Sequence, residues 1–229
     1  RRAVKEGARV PVMESFAAAF LSAFELIVAR DPDLVEIVLL SLQVSLGAVA
    51  CAALIGLPVG AALGVARFPG RQAAIVVLNA LMGLPPVVAG LLIYLLLSRA
   101  GPLGEFGLLF TPAAMVIAQT VLVAPIIAAL TRQTVEDLHG EYAEQFRSLS
   151  VGPVQAMATL LWDGRYSLFT ALLAGFGRAI AEVGAVIIVG GNINHVTRVM
   201  TTTIALETSK GNLELALGLG IILVALAVL

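Results

Sequence analysis

Three stretches of this chain contain no Asp, Glu, Lys or Arg: Ile37–Ala66, Gln72–Ser98 and Phe106–Thr131. Each is longer than the roughly 20 residues that a helix needs to cross about 30 Å of hydrocarbon. Tyr166–Gly191 is a fourth apolar run, interrupted by Arg178 and Glu182, and a fifth begins near Gly211 and is still running at Leu229. The reading is an all-α integral membrane protein of about five spans, with its natural C-terminus expected beyond Leu229.

Composition agrees. Hydrophobic residues make up 59% of the 229 and charged residues 13%, about half the charge a soluble domain carries. The apolar excess therefore faces lipid as well as core. Net charge is -1, which points away from a nucleic-acid partner. Cys51 is the single cysteine and sits inside an apolar run. A disulfide within the chain is excluded, and a buried packing role is expected for it.

The N-terminus reads differently. Phe16–Ala29 is apolar but short, contains Glu25 and is followed by Asp31-Pro32-Asp33. That length suits a helix lying at the interface better than a full crossing. Arg1, Arg2, Lys5 and Arg9 resemble a signal n-region, but no small-residue cleavage site follows, and Met13 could be the true start. Residues 1–33 are thus expected to form a tail and interfacial helix, and 34–229 a single transmembrane domain.

Between Thr131 and Tyr166 lies a polar, charged loop, 132–165. By alternation it shares a side with the basic turn Arg67-Phe68-Pro69-Gly70-Arg71. Arg67, Arg71, Arg132, Arg147 and Arg165 then face Arg30, Arg99, Arg198 and Lys210 on the other side. This small excess favours a cytoplasmic loop.

The spans carry breaks and polar groups. Pro85 and Pro86 lie mid-way along the second run, Pro58 late in the first, and Pro112 and Pro125 in the third. A proline leaves a carbonyl unpaired, which lipid tolerates only where neighbouring helices or a wet cavity satisfy it. Asn79, Gln119 and Thr120 add polar groups at depth; they suit a pathway, or equally the hydrogen bonds that hold a bundle together. Arg178 and Glu182, four residues apart, can pair on one helix face. They read either as a self-satisfied structural pair or as part of a gate. No internal repeat is evident. Five helices are few for enclosing a solute path, so a symmetric pair with the path on its shared axis is expected.

Several chemistries are not supported. No G-x-x-x-x-G-K-[ST] phosphate loop occurs, so ATP hydrolysis by this chain is not expected. His139 and His195 lack metal-ligand spacing, and no nucleophile–base constellation can be argued. No cofactor or metal is expected on this chain.

The charged loop has its own pattern. On a helix, Tyr142, Phe146 and Leu149 share one face, while Glu141, Glu144 and Arg147 lie elsewhere on it. Such a helix can bury its apolar stripe in a partner's groove while its charges set the register. From 132 to 165 the acids are Glu136, Asp137, Glu141, Glu144 and Asp163, against Arg132, Arg147 and Arg165. An acidic excess is a poor match for anionic lipid.

Glu144-Gln-Phe-Arg-Ser-Leu149-Ser150-Val-Gly152-Pro resembles the EAA loop of type I ABC-importer permeases, the cytoplasmic segment that docks on the ATPase subunit. Glu144 stands at the motif's Glu, Gln145 and Phe146 replace its alanines, and Ser150 replaces its glycine. Leu78–Leu92, with Pro85 and Pro86, is similar to the family's proline-bearing span. Gly175–Gly184 and Gly190-Gly191-Asn192-Ile193 resemble the molybdate/sulfate/tungstate branch, and Met82–Val88 with Thr203–Gly211 lies nearest its tungstate members. The resemblance runs from about Leu34 to Leu229.

It implies a non-catalytic permease subunit of an oxyanion importer in the plasma (inner) membrane, with molybdate or sulfate as alternatives to tungstate. It further implies a homodimer, two cytoplasmic ATPase subunits that bind the ATP and Mg, and an extracytoplasmic solute-binding protein. Coupling contacts would fall on Glu141, Glu144, Phe146, Arg147, Leu149, Ser150 and Gly152. Pathway or gate residues would be Asn79, Pro85, Pro86, Gln119, Arg178 and Glu182. Arg198 and Lys210 are candidates for attracting the anion or touching the binding protein, or are simply solvated. The competing classes are a self-sufficient secondary transporter or channel, and a membrane assembly factor whose loop recruits a partner.

Overall fold

The computed structural model of the chain describes residues 25, 27–29 and 31–228. Arg1, Arg2, Lys5, Arg9, Met13, Arg30 and most of the interfacial helix expected over 16–29 lie outside the described residues. Glu25 and Ile27–Ala29 are helical, and Ile27 packs on a cluster that includes Leu34 and Ile37. Among the described residues every regular element is a helix.

The longest is α1, Pro32–Val65, of 34 residues, about 51 Å at the α-helical rise and so longer than the hydrocarbon core. Asp31 starts it by accepting from the backbone N–H of Asp33 at 3.0 Å and of Leu34 at 3.1 Å, with Pro32 at the first helical position. Its partner is α4, Pro112–Glu141, of 30 residues, capped by Thr111.

The α1–α4 seam is built on Gly56, Gly60 and Gly64, four residues apart. A Cβ on Gly60 would lie 2.4 Å from the Ala128 carbonyl oxygen, and one on Gly64 would lie 2.8 Å from Val135 Cγ1. Small residues at this period let two backbones close in lipid, where dispersion and weak polar contacts replace the hydrophobic drive.

The second and fourth apolar runs are not straight. The second is α2, Arg71–Met82, and α3, Pro86–Leu97, bent by 100° across Gly83-Leu84-Pro85. The fourth is α7, Arg165–Ile180, and α8, Gly184–Gly190, bent by 59°. The breaks expected in the spans are thus present, against about five spans expected from the sequence. Among the described residues two helices are long and apolar enough to cross a membrane, or up to four if each bent pair counts as one. The last apolar run gives α10, Leu213–Val228, of 16 residues, and α9, Met200–Lys210, precedes it. Large apolar side chains on α2 and α3, including Val76, Val77, Leu92 and Leu95, point outward, as they do when the surrounding solvent is lipid.

The polar segment is helical for most of its length. Arg132–Glu141 continues α4, and α5, Ala143–Ser148, and α6, Pro153–Asp163, follow after short turns. The expected shared side holds: Arg71 Nη2 bonds Glu136 Oε1 at 2.8 Å and its Nε donates to the Leu63 carbonyl at 2.8 Å, joining the basic turn to α4. Cys51, expected in the core, is exposed on α1, turned outward from its neighbours Ala48 and Ala52, which are fully buried.

At the other end, His195 Nδ1 and Glu36 Oε2 lie 2.8 Å apart. The hydrogen bond and charge of Glu36 raise the His195 pKa above its ordinary value. The pair's contribution to stability is therefore fully present below about pH 6.5, the unfolded value, and is lost as pH rises through the raised folded value. In an imidazole NMR titration, Glu36→Gln should lower the His195 midpoint.

Candidate functional sites

The two helix breaks meet inside the bundle. A Cβ on Gly184, the first residue of α8, would lie 3.0 Å from Val87 Cγ2 and 3.5 Å from Val87 N, beside Pro85 and Pro86. Further along, a Cβ on Gly90 would lie 2.7 Å from Ala185 Cα. The first turn of α3, which starts at Pro86, is thus packed against the start of α8.

Glu182 holds the second break. Its side chain is 3% exposed and pairs with Arg178 Nη1 at 2.5 Å. Its second oxygen, Oε1, accepts from the Ala185 backbone N–H at 3.0 Å, and its own carbonyl accepts from Thr201 Oγ1 at 2.8 Å. One carboxylate therefore satisfies donors on both sides of the bend, where the helical ladder is interrupted.

Gln119 on α4 joins this group: Nε2 donates to the Ala179 carbonyl at 3.0 Å, while Oε1 is buried with no partner. Gln119 and Glu182 line one small cavity with Ser41, Ser45 and Thr201. Of the expected pathway residues, the fold brings together Gln119, Arg178 and Glu182, while Pro85 is exposed and Pro86 half-buried at the other break. Asn79 is exposed on α2 and stands apart.

Ser41 and Thr201 were not foreseen. Ser41 Oγ donates to the Ile37 carbonyl and accepts from the Met200 N–H at 2.8 Å, so both hydroxyls pin the start of α9 to its neighbours. Each is a single small polar residue in an apolar or threonine-rich run, with nothing local to mark it. The glycine ladder of α1 was also missed, though its period of four was a readable signal.

The second candidate site is the charged segment after α4. Glu141, Glu144, Arg147, Ser150 and Gly152 are exposed, and Leu149 is 74% exposed. The apolar stripe expected on one face is split. Tyr142 and Phe146 turn inward onto Ala61, Val65, Val135 and Leu160, and only Leu149 points out. The helical bonds run on from Tyr142 to Phe146 and from Gln145 to Leu149, but the helix ends at Ser148, which leaves Leu149 as its C-cap at the exposed end of the segment. Phe146 also stacks on His139 at 5.9 Å, and Tyr142 donates to Asp163 Oδ2 at 2.7 Å. That carboxylate raises the Tyr142 pKa above its ordinary value.

Ser150, where the EAA pattern has glycine, adopts φ 54°. Left-handed backbone carries no penalty for glycine but costs a residue with a Cβ about 1 kcal/mol. Ser150→Gly should therefore stabilise the segment by about 0.5–1 kcal/mol, read as slower amide exchange at Val151, whose N–H closes this turn on the Phe146 carbonyl.

Lys210, at the end of α9, pairs with Glu207 at 2.9 Å. Arg198 is half-buried beside Asp33, Glu36 and His195.

Together these elements define a multi-pass, all-α membrane protein whose half-helices meet inside the bundle and whose charged segment is exposed at one end. No family model matches the chain. It is 42% identical over 198 residues to the probable anion ABC transporter permease protein of Haloferax volcanii, covering 84% of this chain and 85% of that one. It is 40% identical over 215 residues to the tungstate uptake system permease protein of Peptoclostridium acidaminophilum, covering 94% of each. The corresponding protein of Campylobacter jejuni is 38% identical over 146 residues, 64% of this chain and 61% of that one. The chain belongs to the ABC transporter permeases, in the branch that includes the tungstate permeases, with sulfate and molybdenum permeases more distant. It is a multi-pass inner-membrane protein and a transport component rather than an enzyme.

Proposed function

We propose that this chain is the membrane-spanning subunit of an importer for tungstate, working as a homodimer with the solute path on the shared axis. The observation that carries the substrate is the match to a tungstate uptake permease over 94% of both chains. Two soluble ATPase subunits bind the ATP and Mg, and an extracytoplasmic binding protein delivers the anion. The segment Glu141–Gly152 is cytoplasmic and couples the bundle to the ATPase. Its exposed charges and Leu149 support this, with Glu144 setting register and Leu149 as the apolar contact. Phe146 serves by holding α5 to the bundle, since it faces inward.

ATP binding draws the two coupling segments together, and the bundle responds as a two-state element biased from one end. The meeting of the two helix breaks near Glu182 is the place where a small tilt becomes an opening, with Arg178, Glu182, Gln119, Pro85 and Pro86 as gate residues. Glu144→Lys should leave folding intact and lower ATP-driven uptake at least several-fold; unchanged uptake would remove the coupling role of this segment.

The substrate is tested with the permease reconstituted beside its ATPase and binding protein. ATP hydrolysis stimulated by tungstate alone supports the narrow reading. Equal stimulation by tungstate, molybdate and sulfate keeps the importer and discards the specificity. A flat response from an assembled complex rejects ATPase coupling in favour of a self-sufficient transporter.

A further inference from the structure

Where α1 ends, the basic turn, the last turns of α4 and the turn after α5 enclose a hollow of about 550 Å³. Arg67, Glu136, His139, Phe146, Arg147 and Ser150 are among the residues that line it. Its only carboxylate is already neutralised: Glu136 bonds Arg71 at 2.8 Å and also pairs with Arg132, and these arginines hold its pKa below the usual carboxylate value. Arg67 and Arg147 are different. Neither has an ion-pair partner among the described residues. His139, stacked on Phe146, has its Nδ1 withdrawn from solvent and without a partner. The acids Glu141 and Glu144 lie on the same segment but do not line the hollow.

The lining thus offers two guanidinium groups without an ion-pair partner among the described residues and the Ser150 hydroxyl, against a carboxylate already paired with two arginines. A guanidinium presents a planar fork of donors that matches oxyanions, often two bonds at a time. An apolar molecule would leave these donors unpaired, and a cation would be repelled. We propose that the hollow binds a tetrahedral oxyanion, with Arg67 and Arg147 as its principal ligands and Ser150 as a further donor. The same chemistry is offered by a free ion and by the phosphate of an anionic lipid headgroup, which Arg67 could reach from the end of α1. The hollow lies at the charged end, apart from the helix breaks; Arg147 and Ser150 also belong to the segment proposed above to meet the ATPase, so the site is open in the chain without that partner.

The test uses the full chain in nanodiscs. In discs of phosphatidylcholine alone, equilibrium dialysis measures retention of inorganic phosphate and of tungstate. In discs that also contain phosphatidylglycerol, native mass spectrometry measures the lipid retained after detergent release. Saturable binding of a free ion, or retention of phosphatidylglycerol over phosphatidylcholine, is expected and tells which source fills the hollow. Arg67→Gln and Arg147→Gln should each weaken that binding by about tenfold, the loss expected for one charge-assisted pair. Arg165→Gln, on the same segment but outside the hollow, should leave it unchanged. The proposal is overturned if none of the three probes binds, if the Arg67 and Arg147 variants bind as the parent does, or if Arg165→Gln weakens binding equally.

Discussion

Replacing Glu182 by leucine is expected to destabilise the folded bundle by about 3 kcal/mol, the lower end of the range for breaking a buried ion pair. The lower end applies because Arg178 is 32% exposed and keeps partial access to solvent. Two losses combine: Arg178 loses its counter-charge, and the Ala185 N–H loses the acceptor that satisfies it at the start of α8. Glu182→Gln keeps an oxygen for that N–H and should fall between parent and leucine variant. The double variant Arg178→Leu/Glu182→Leu should recover part of the loss, because an unpaired charge no longer remains. Unfolding titrations in mixed micelles would measure these three variants and the single Arg178→Leu beside the parent. If the double variant lost the sum of the two singles, pairing would not be what holds the bend.

Gly60→Leu should be comparably severe, with a loss of about 3 kcal/mol or more. The hypothetical Cβ meets the Ala128 carbonyl oxygen at 2.4 Å, Thr131 Cβ at 2.7 Å and the Arg132 nitrogen at 3.0 Å. Two of these are backbone atoms inside a helix, so no side chain can swing away to make room. The variant must separate α1 from α4 over the stretch that buries Ala61 and Val135. Gly140→Ala makes the contrast. Nothing lies within 4 Å of the added methyl, and a helical glycine replaced by alanine typically gains about 0.5–1 kcal/mol. Equal losses in the two variants, measured by the same unfolding titration, would show that the seam is not what Gly60 protects.

These two predictions also separate what was legible in one dimension from what was not. The pairing of Arg178 with Glu182 follows from their spacing, and the structure makes it. Its consequence did not follow, because Glu182 lies in a bend and caps the next half-helix as well as pairing. The prolines at 85 and 86 marked a break in the second run, but not its 100° angle. A freed carbonyl tolerates many angles, and neighbours choose among them. Likewise, the period of Tyr142, Phe146 and Leu149 predicted one apolar face. The helix ends at Ser148, so two of the three are buried and Leu149, its C-cap, is left outside.

Apolar run length and the placement of charge determined, without any structure, that this is a helical membrane protein with its charged segment gathered at one end. That is so because transfer of residues from water to lipid is summed along the chain and depends little on which helices touch. The short motifs around Glu144 and Arg178 placed it among permeases. Tertiary structure alone decided that the two broken helices meet at Val87 and Gly184, that Gly60 is a contact, that Ser150 takes a left-handed turn, and that Arg67 and Arg147 share one hollow. Each of these depends on residues far apart in the chain approaching within a few ångströms, or on a backbone angle set by that approach. Close packing decides such distances one neighbour at a time.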